Sequence, residues 1–140
     1  MQAIECVSGK RRTLAFVIRN EFSPERTEFP TPADLNLQVG FVVYRAGGAI
    51  APHLHLPLER SIVGTSEVLI VKSGRCLLDI YDDDKSLVAT RELRAGDVML
   101  MVGGGHGFRM LEDTVLLEVK QGPYTGLEEK ERFSGDDPGQ

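Results

Sequence analysis

Three histidines and one glutamate are the residues of this chain best suited to bind a metal ion: His53, His55, Glu67 and His106. His53 and His55 are separated by one residue, so on a β-strand both imidazoles would project from one face, roughly 7 Å apart along the backbone. Imidazole nitrogens with a carboxylate oxygen suit Fe, Mn, Zn, Ni or Cu as a divalent ion. Neutral imidazoles also suit acid/base chemistry without a metal, and a histidine on a strand is often merely structural.

The pattern of apolar residues predicts an all-β fold. From residue 37 onward the dominant period is two, which is typical of β-strands, and no long stretch has a helical period. Turn residues at Ser73-Gly74 and Glu112-Asp113 predict hairpins. Short strands with frequent glycine turns favour an antiparallel sandwich or barrel. The strand-like stretches are residues 37–44, 50–55, 67–72, 75–81, 87–93, 97–102, 106–111 and 114–120.

Composition narrows the classes of function. The net charge is −5 and no basic stripe is present, which argues against nucleic acid as a partner. No apolar run is long enough to span a membrane, and the first residues lack the apolar run of a signal peptide. Two cysteines with no C-x-x-C spacing favour a reducing compartment. We therefore expect a cytoplasmic protein, with a small molecule as its ligand and with neither nucleic acid nor membrane as a partner.

One stretch of the sequence resembles the first motif of a known family. Gly47 is followed by five residues and then His53, Leu54 and His55, and Glu67 is followed by six residues and Gly74. This pattern resembles the cupin motif G-x5-H-x-H-x3-4-E-x6-G. Eleven residues separate His55 from Glu67, where the family has three or four.

A second stretch resembles the other cupin motif, G-D-x4-P-x-G-x2-H. Gly96-Asp97 opens the match, Val102 stands where proline is usual, and His106 comes one residue early. The two motifs together cover a little under half of the chain.

The resemblance implies a fold, a division of the chain and a cofactor. The fold would be a double-stranded β-helix, the jelly-roll barrel of cupins, similar to small phosphomannose isomerase-like and sugar-nucleotide isomerase-like members. Residues 1–36 would pack on the barrel, residues 37–122 would form it, and residues 123–140 would be a polar, partly mobile segment. His53, His55, Glu67 and His106 would hold one divalent transition metal per chain. Cupins are often dimers, and the apolar segments 13–18 and 37–44 would need covering, so we expect a homodimer.

Glu59 has the family spacing from His55, yet we expect Glu67 to be the carboxylate ligand. Glu59 follows Pro57 in a polar loop, where ordering the backbone costs conformational entropy. Glu67 begins an apolar strand and would share a face with Leu69 and Val71.

Further residues are candidates for contact with a substrate. In the strand at 114–120 we expect the apolar face to be core and Glu118 and Lys120 to form a surface pair. The opposite orientation would put that pair in the pocket as acid/base groups. Phe108 shares the face of His106, where a core role is the simpler interpretation. The candidates are Arg45, Glu59, Arg60, Phe108, Glu118 and Lys120.

Three functions remain open at this point. The first is a metal-dependent isomerase, lyase or dioxygenase acting on a small polar or sugar-like molecule. The second is a metal-free sugar-nucleotide ketoisomerase or epimerase that uses the His-x-His pair as acid and base. The third is a non-catalytic barrel that binds a small molecule. The sequence assigns no residue a catalytic role.

Overall fold

The computed structural model describes residues 2–122 and 130–135, and within them the chain is all-β. The predicted fold class is confirmed at this level. The described part of the chain contains no helix long and apolar enough to cross a membrane. Between residues 2 and 122 the chain forms eight strands: β1 (Ile4–Ser8), β2 (Thr13–Ile18), β3 (Glu67–Ser73), β4 (Arg75–Tyr81), β5 (Leu87–Arg94), β6 (Val98–Met101), β7 (Gly105–Met110) and β8 (Val115–Lys120).

The chain divides into two compact units, and all the strands found in the described residues belong to one of them. The strand unit comprises Met1–Phe22 and Thr65–Gln140, and the second unit is Ser23–Gly64. The strands form a five-stranded sheet in the order β1-β2-β6-β3-β8 and a three-stranded sheet in the order β5-β4-β7, with antiparallel pairs throughout. The predicted mobile segment, residues 123–140, lies mostly outside the described residues.

The core lies between the two sheets, and in β3 and β4 every second residue contributes to it. In β3 the inward residues Leu69 and Val71 are buried, and in β4 the inward residues are Cys76, Leu78 and Ile80. Residues at alternate positions of a strand point to the same face of the sheet, so these side chains meet in one layer between the sheets. Burial of each such side chain stabilises the fold by about 1.5–3 kcal/mol.

The predicted turns at Ser73-Gly74 and Glu112-Asp113 are present, but neither joins a hairpin. β3 pairs with β6 and β8, whereas β4 pairs with β5 and β7, so the chain changes sheet at Gly74. The chain changes sheet again between β7 and β8. Gly74 has a φ of 89° and its Cα packs against the backbone at Thr114, where a Cβ would collide. A glycine at this corner is therefore required both by the backbone angle and by the neighbouring turn.

Asp97 ties the corner between β5 and β6 to the end of β2. Its Oδ1 accepts the backbone N–H of Asn20 at 2.8 Å, and its Oδ2 accepts that of Arg94 at 2.8 Å. The same Oδ2 lies 3.1 Å from the guanidinium of Arg19, and both side chains are buried. A buried ion pair of this kind is favourable only when the remaining donors and acceptors are satisfied, as they are here.

The second unit is an irregular loop held by local hydrogen bonds. Ser23–Gly64, described throughout, contains an isolated antiparallel bridge between Glu28 and Phe41, with N–H···O distances of 2.9 and 2.7 Å. The hydroxyl of Thr27 accepts the N–H of Val43 at 3.0 Å. These bonds organise the first part of the unit, whereas residues 49–63 have no regular structure.

The strands predicted at residues 37–44 and 50–55 are therefore wrong for the single chain. Only Phe41 of the first segment is in a β-bridge, and the second segment has none among the residues described. A period of two in the sequence shows that the two faces of a segment differ in polarity, but it does not supply a neighbouring strand. A segment forms a β-strand only where a neighbour pairs with its backbone N–H and C=O groups.

We predict that Asp97→Ala lowers the free energy of unfolding by about 3–5 kcal/mol, because it leaves the Arg19 guanidinium buried without its partner. Urea unfolding followed by circular dichroism measures the change. The control is Glu112→Ala, since Glu112 is exposed at 3.7 Å from Arg75 Nε and should contribute less than about 1 kcal/mol. A similar loss in both variants would contradict the role given to Asp97.

Candidate functional site

Glu67 is the first residue of β3 and its carboxylate points between the sheets. The residue is 7 % exposed and shares its face with Leu69 and Val71, which are also buried. The inward orientation predicted from the alternation of this strand is confirmed. The sheet fixes the Glu67 backbone by pairing it with Met101 of β6 and Lys120 of β8.

His106 reaches Glu67 from the opposite sheet. It lies in β7 opposite Ile80 of β4, so its ring faces inward on the same side as Phe108. The Nε2 atom of His106 lies 3.2 Å from Oε2 of Glu67. The ring of Phe108 stacks edge-on against that of His106, with 5.9 Å between centroids. The turn of Gly103 and Gly104 thus brings together two residues almost forty positions apart.

The Glu67 carboxylate is charged and incompletely satisfied. The His106 imidazole beside it holds the pKa of Glu67 below its ordinary value of 4.5, although burial of the carboxyl acts in the opposite direction. Lys120, opposite on β8, also favours the charged form. The contact with His106 lacks hydrogen-bond geometry, and within the described residues the buried Oε2 has no hydrogen-bond donor. Native structures rarely leave such an oxygen without a partner unless a ligand or an ion approaches it.

The orientation of β8 is the reverse of the one we expected. Val115, Leu117 and Val119 are each about half exposed on the outer face. Leu116 packs against the core, and Glu118 lines the cavity between the sheets. The prediction for β8 was wrong because the strand has apolar residues on both faces, and such a sequence does not indicate which face is buried.

A cavity of about 920 Å³ opens beside Glu67 and His106. Its walls come from β3, β8 and β7 and from residues 130–135, and they mix charged with apolar side chains. Glu118 and Phe108, two of the predicted substrate contacts, line it. A cavity of this size is ample for a small polar ligand.

The cavity also contains residues from the outer face of the three-stranded sheet. Asp79 and Arg109 lie at alternate positions to Ile80 and His106, so they project from the opposite face of that sheet.

Sequence reasoning missed the ion pair between the buried Asp79 and the partly exposed Arg109. Arg109 donates from Nε at 2.8 Å and from a terminal nitrogen at 2.9 Å, and the hydroxyl of Thr90 donates at 2.7 Å. Burial acts to raise the pKa of Asp79, but these hydrogen bonds outweigh it and hold the pKa below its ordinary value. The one available signal was a lone aspartate inside an apolar strand, and its partners depend on strand register.

His53 and His55 belong to the second unit and lie close to each other. Their ring centroids are 5.1 Å apart. Nδ1 of His53 lies 2.8 Å from the carbonyl oxygen of Ala51. A carbonyl can only accept, so Nδ1 of His53 is the donor, which is the arrangement common in histidines that bind a metal through Nε2.

The four predicted ligands therefore form two pairs, His53 with His55 and Glu67 with His106. Across the described ranges, no group of three or more His, Cys, Asp or Glu side chains is placed to hold a metal ion. The predicted substrate contacts Arg45, Glu59 and Arg60 are exposed in the second unit, and Lys120 is half-buried on β8.

No family model, curated protein or solved structure matches this chain.

We predict that Asp79→Asn lowers the free energy of unfolding at pH 7 by about 1–3 kcal/mol, since Arg109 loses a charged partner. Because the pKa of Asp79 is lower in the folded protein than its ordinary value of 3.8, the ionised carboxylate stabilises the fold above about pH 3.8. This contribution disappears as the pH falls through the pKa of Asp79 in the folded protein. The difference from the unaltered protein should therefore shrink below about pH 4.

Chemical unfolding at several pH values checks the Asp79 prediction. The matched control is Asp34→Asn, an exposed carboxylate of the second unit that should change stability by less than about 0.5 kcal/mol. A difference for Asp79→Asn that stays constant from pH 7 to pH 3 would contradict it.

Proposed function

We propose that this protein is a small metal-binding barrel of cupin type that acts on a small polar or sugar-like molecule. The observation that carries the proposal is the buried Glu67 carboxylate, beside His106 and facing a cavity, with one oxygen that lacks a donor in the described structure. A cation near that oxygen would satisfy it and would favour the charged carboxylate.

The donor set fits one divalent ion of Fe, Mn, Zn, Ni or Cu. Glu67 would supply an oxygen, His106 its Nε2, and the His53–His55 pair two further nitrogens. The bond from His53 Nδ1 to Ala51 supports ligation through Nε2, because metal-binding imidazoles commonly donate their other N–H to a carbonyl. A bound ion of this type would polarise a carbonyl or hydroxyl group of the substrate.

The path of the chain supports a wrapped barrel. Four connections cross from one sheet to the other, between β3 and β4, β5 and β6, β6 and β7, and β7 and β8. Such repeated crossing is what a double-stranded β-helix requires, whereas a simple meander stays within one sheet.

The cavity wall suggests how a substrate is held. Glu118 is in the row of β8 that faces the cavity, and Lys120 continues that row opposite Glu67. Both are suited to binding hydroxyl groups or to moving a proton during an isomerase or lyase reaction. The mixed charged and apolar wall matches a polar molecule with a carbon framework.

A metal-free sugar-nucleotide ketoisomerase or epimerase is the second candidate. The contact between Glu67 and His106 favours it, because a carboxylate that orients an imidazole is a common acid/base arrangement. In this mechanism the His-x-His pair would supply the acid and base.

We predict that the protein, purified without chelators or nickel columns, binds about one divalent transition ion per chain. Elemental analysis measures the content. Glu67→Gln should lower metal occupancy at least roughly tenfold, because ligation needs a charged carboxylate at this position. His53→Ala should have a similar effect.

Glu59→Gln is the matched control, because Glu59 has the family spacing but is exposed in an irregular segment. It should keep its metal. Loss of metal from Glu59→Gln and not from Glu67→Gln would overturn the assignment of the carboxylate. A metal-free protein that still converts a sugar nucleotide would favour the second candidate.

A further inference from the structure

One wall of the cavity beside His106 is a short segment near the end of the chain. Residues 130–135 belong to the same compact unit as the strands, and they line the cavity together with β7. They have no regular structure, and among the described residues no β-bridge joins them to a strand. This wall is therefore attached by side chains and close packing, whereas the strands are attached by backbone ladders.

We propose that residues 130–135 act as a strap whose release opens the cavity to a small polar ligand. The strap lies against the start of β7, at the residue before His106. Its release widens the opening next to the His106 imidazole, whether or not a metal ion occupies the site.

Phe133 anchors the strap. Its ring meets that of Tyr81 edge-on, with 5.0 Å between centroids, a favourable geometry for an aromatic pair. The same ring lies against Gly105, where an added Cβ would be 3.1 Å from it. Gly105 begins β7 and immediately precedes His106. The anchor thus packs on the backbone that presents the imidazole to Glu67.

Tyr81 connects the strap with the glycine turn before β7. Its carbonyl oxygen packs against Gly104, and its hydroxyl packs against Gly135 of the strap. A Cβ at either glycine would collide with Tyr81. Tyr81 itself is buried on the face of β4 that carries Asp79. One residue therefore supports both the turn that leads to His106 and the strap beside it.

Lys85 holds the strap from the hairpin between β4 and β5. Its Nζ donates to Oε1 of Glu131 at 2.5 Å and lies 5.9 Å from the centroid of the Phe133 ring, within the range of a cation–π contact. The side chains of Lys85 and Glu131 are 49 % and 76 % exposed. An exposed ion pair contributes little stability and is weakened by salt, so this attachment can open.

The backbone of Lys85 adopts a conformation that glycine favours. Its φ is 70°, the one positive φ of a non-glycine residue in the described part of the chain. The N–H of Asp82 bonds to the carbonyl of Ser86 and that of Lys85 to the carbonyl of Asp82, both at 2.9 Å. Hairpin loops of this length commonly place glycine at the left-handed position. The lysine is explained by its side chain, whose one ion pair within the described residues is with the strap.

The strap can open without disturbing the strands. Phe133 is half-buried, whereas the other residues of the strap are exposed. Segments with few buried apolar contacts and without a backbone ladder open locally at a smaller cost in free energy than global unfolding. Loops released in this way commonly control access to a binding site.

Diethyl pyrocarbonate, which acylates accessible neutral imidazoles, tests the strap, and peptide mass spectrometry follows each histidine separately. The protein is first dialysed against a chelator, so that a bound metal does not protect the imidazole. Phe133→Ala and Lys85→Gly should each raise the modification rate of His106 at least roughly threefold, because each removes a contact that holds the strap. His53 and His55 are exposed and serve as internal references whose rates should stay unchanged.

Lys85→Gly separates release of the strap from a general loss of stability. Glycine is natural at a φ of 70°, so the melting temperature of this variant should not fall while the rate at His106 rises. Lys10→Ala is the matched control, because Lys10 forms an exposed ion pair with Asp84 of the same hairpin loop. It should leave the rate at His106 unchanged.

Faster modification of His106 in both strap variants, with unchanged references and an unchanged Lys10→Ala protein, supports the strap. Equal rates at His106 in Lys85→Gly, Phe133→Ala and the unaltered protein overturn it. Acceleration of all three histidines in Lys85→Gly also overturns it, since the whole fold has then loosened. If Phe133→Ala alone shows that general acceleration, it has lost its fold and Lys85→Gly decides.

Adding Zn²⁺ back to the dialysed, unaltered protein distinguishes the strap from the proposed function. Slower modification of His106 with Zn²⁺ supports the proposed metal site. A rate that Zn²⁺ does not change counts against that site, and the comparison of the strap variants still decides whether the strap controls access.

Discussion

The buried contact between Arg19 and Asp97 fixes one end of the strand unit, and the cavity lies at the other end, beside Glu67 and His106. Asp97 holds Asn20 after β2, Arg94 at the end of β5 and the guanidinium of Arg19. Its carbonyl also accepts the N–H of Val71 on β3 at 3.0 Å. Glu67 lies four residues before Val71, about 13 Å away along the strand. At one end of β3 the hydrogen bonds of Asp97 hold the neighbouring segments together. At the other end the carboxylate of Glu67 faces the imidazole of His106 from the opposite sheet.

Alternation along single strands was sufficient to predict part of the site. Glu67 was expected to face inward with Leu69 and Val71, and it does. The same reasoning failed at β8, because Leu117 and Leu116 are equally apolar and only the register with β3 decides which one is inside. The alternation of residue types can be seen within one strand, whereas the face that is buried depends on how the strand pairs with its neighbour.

Turn residues were also only partly informative. Gly74 was expected to join a hairpin, and it instead forms the corner at which the chain changes sheet, with a φ of 89° that is natural for glycine. A turn, however, does not determine whether the strands on either side pair with each other. Here the segments before and after Gly74 pair with strands far away in sequence, and no local pattern encodes those partners. The ion pair between Asp79 and Arg109 could not be predicted for the same reason, because it depends on the pairing of β4 with β7.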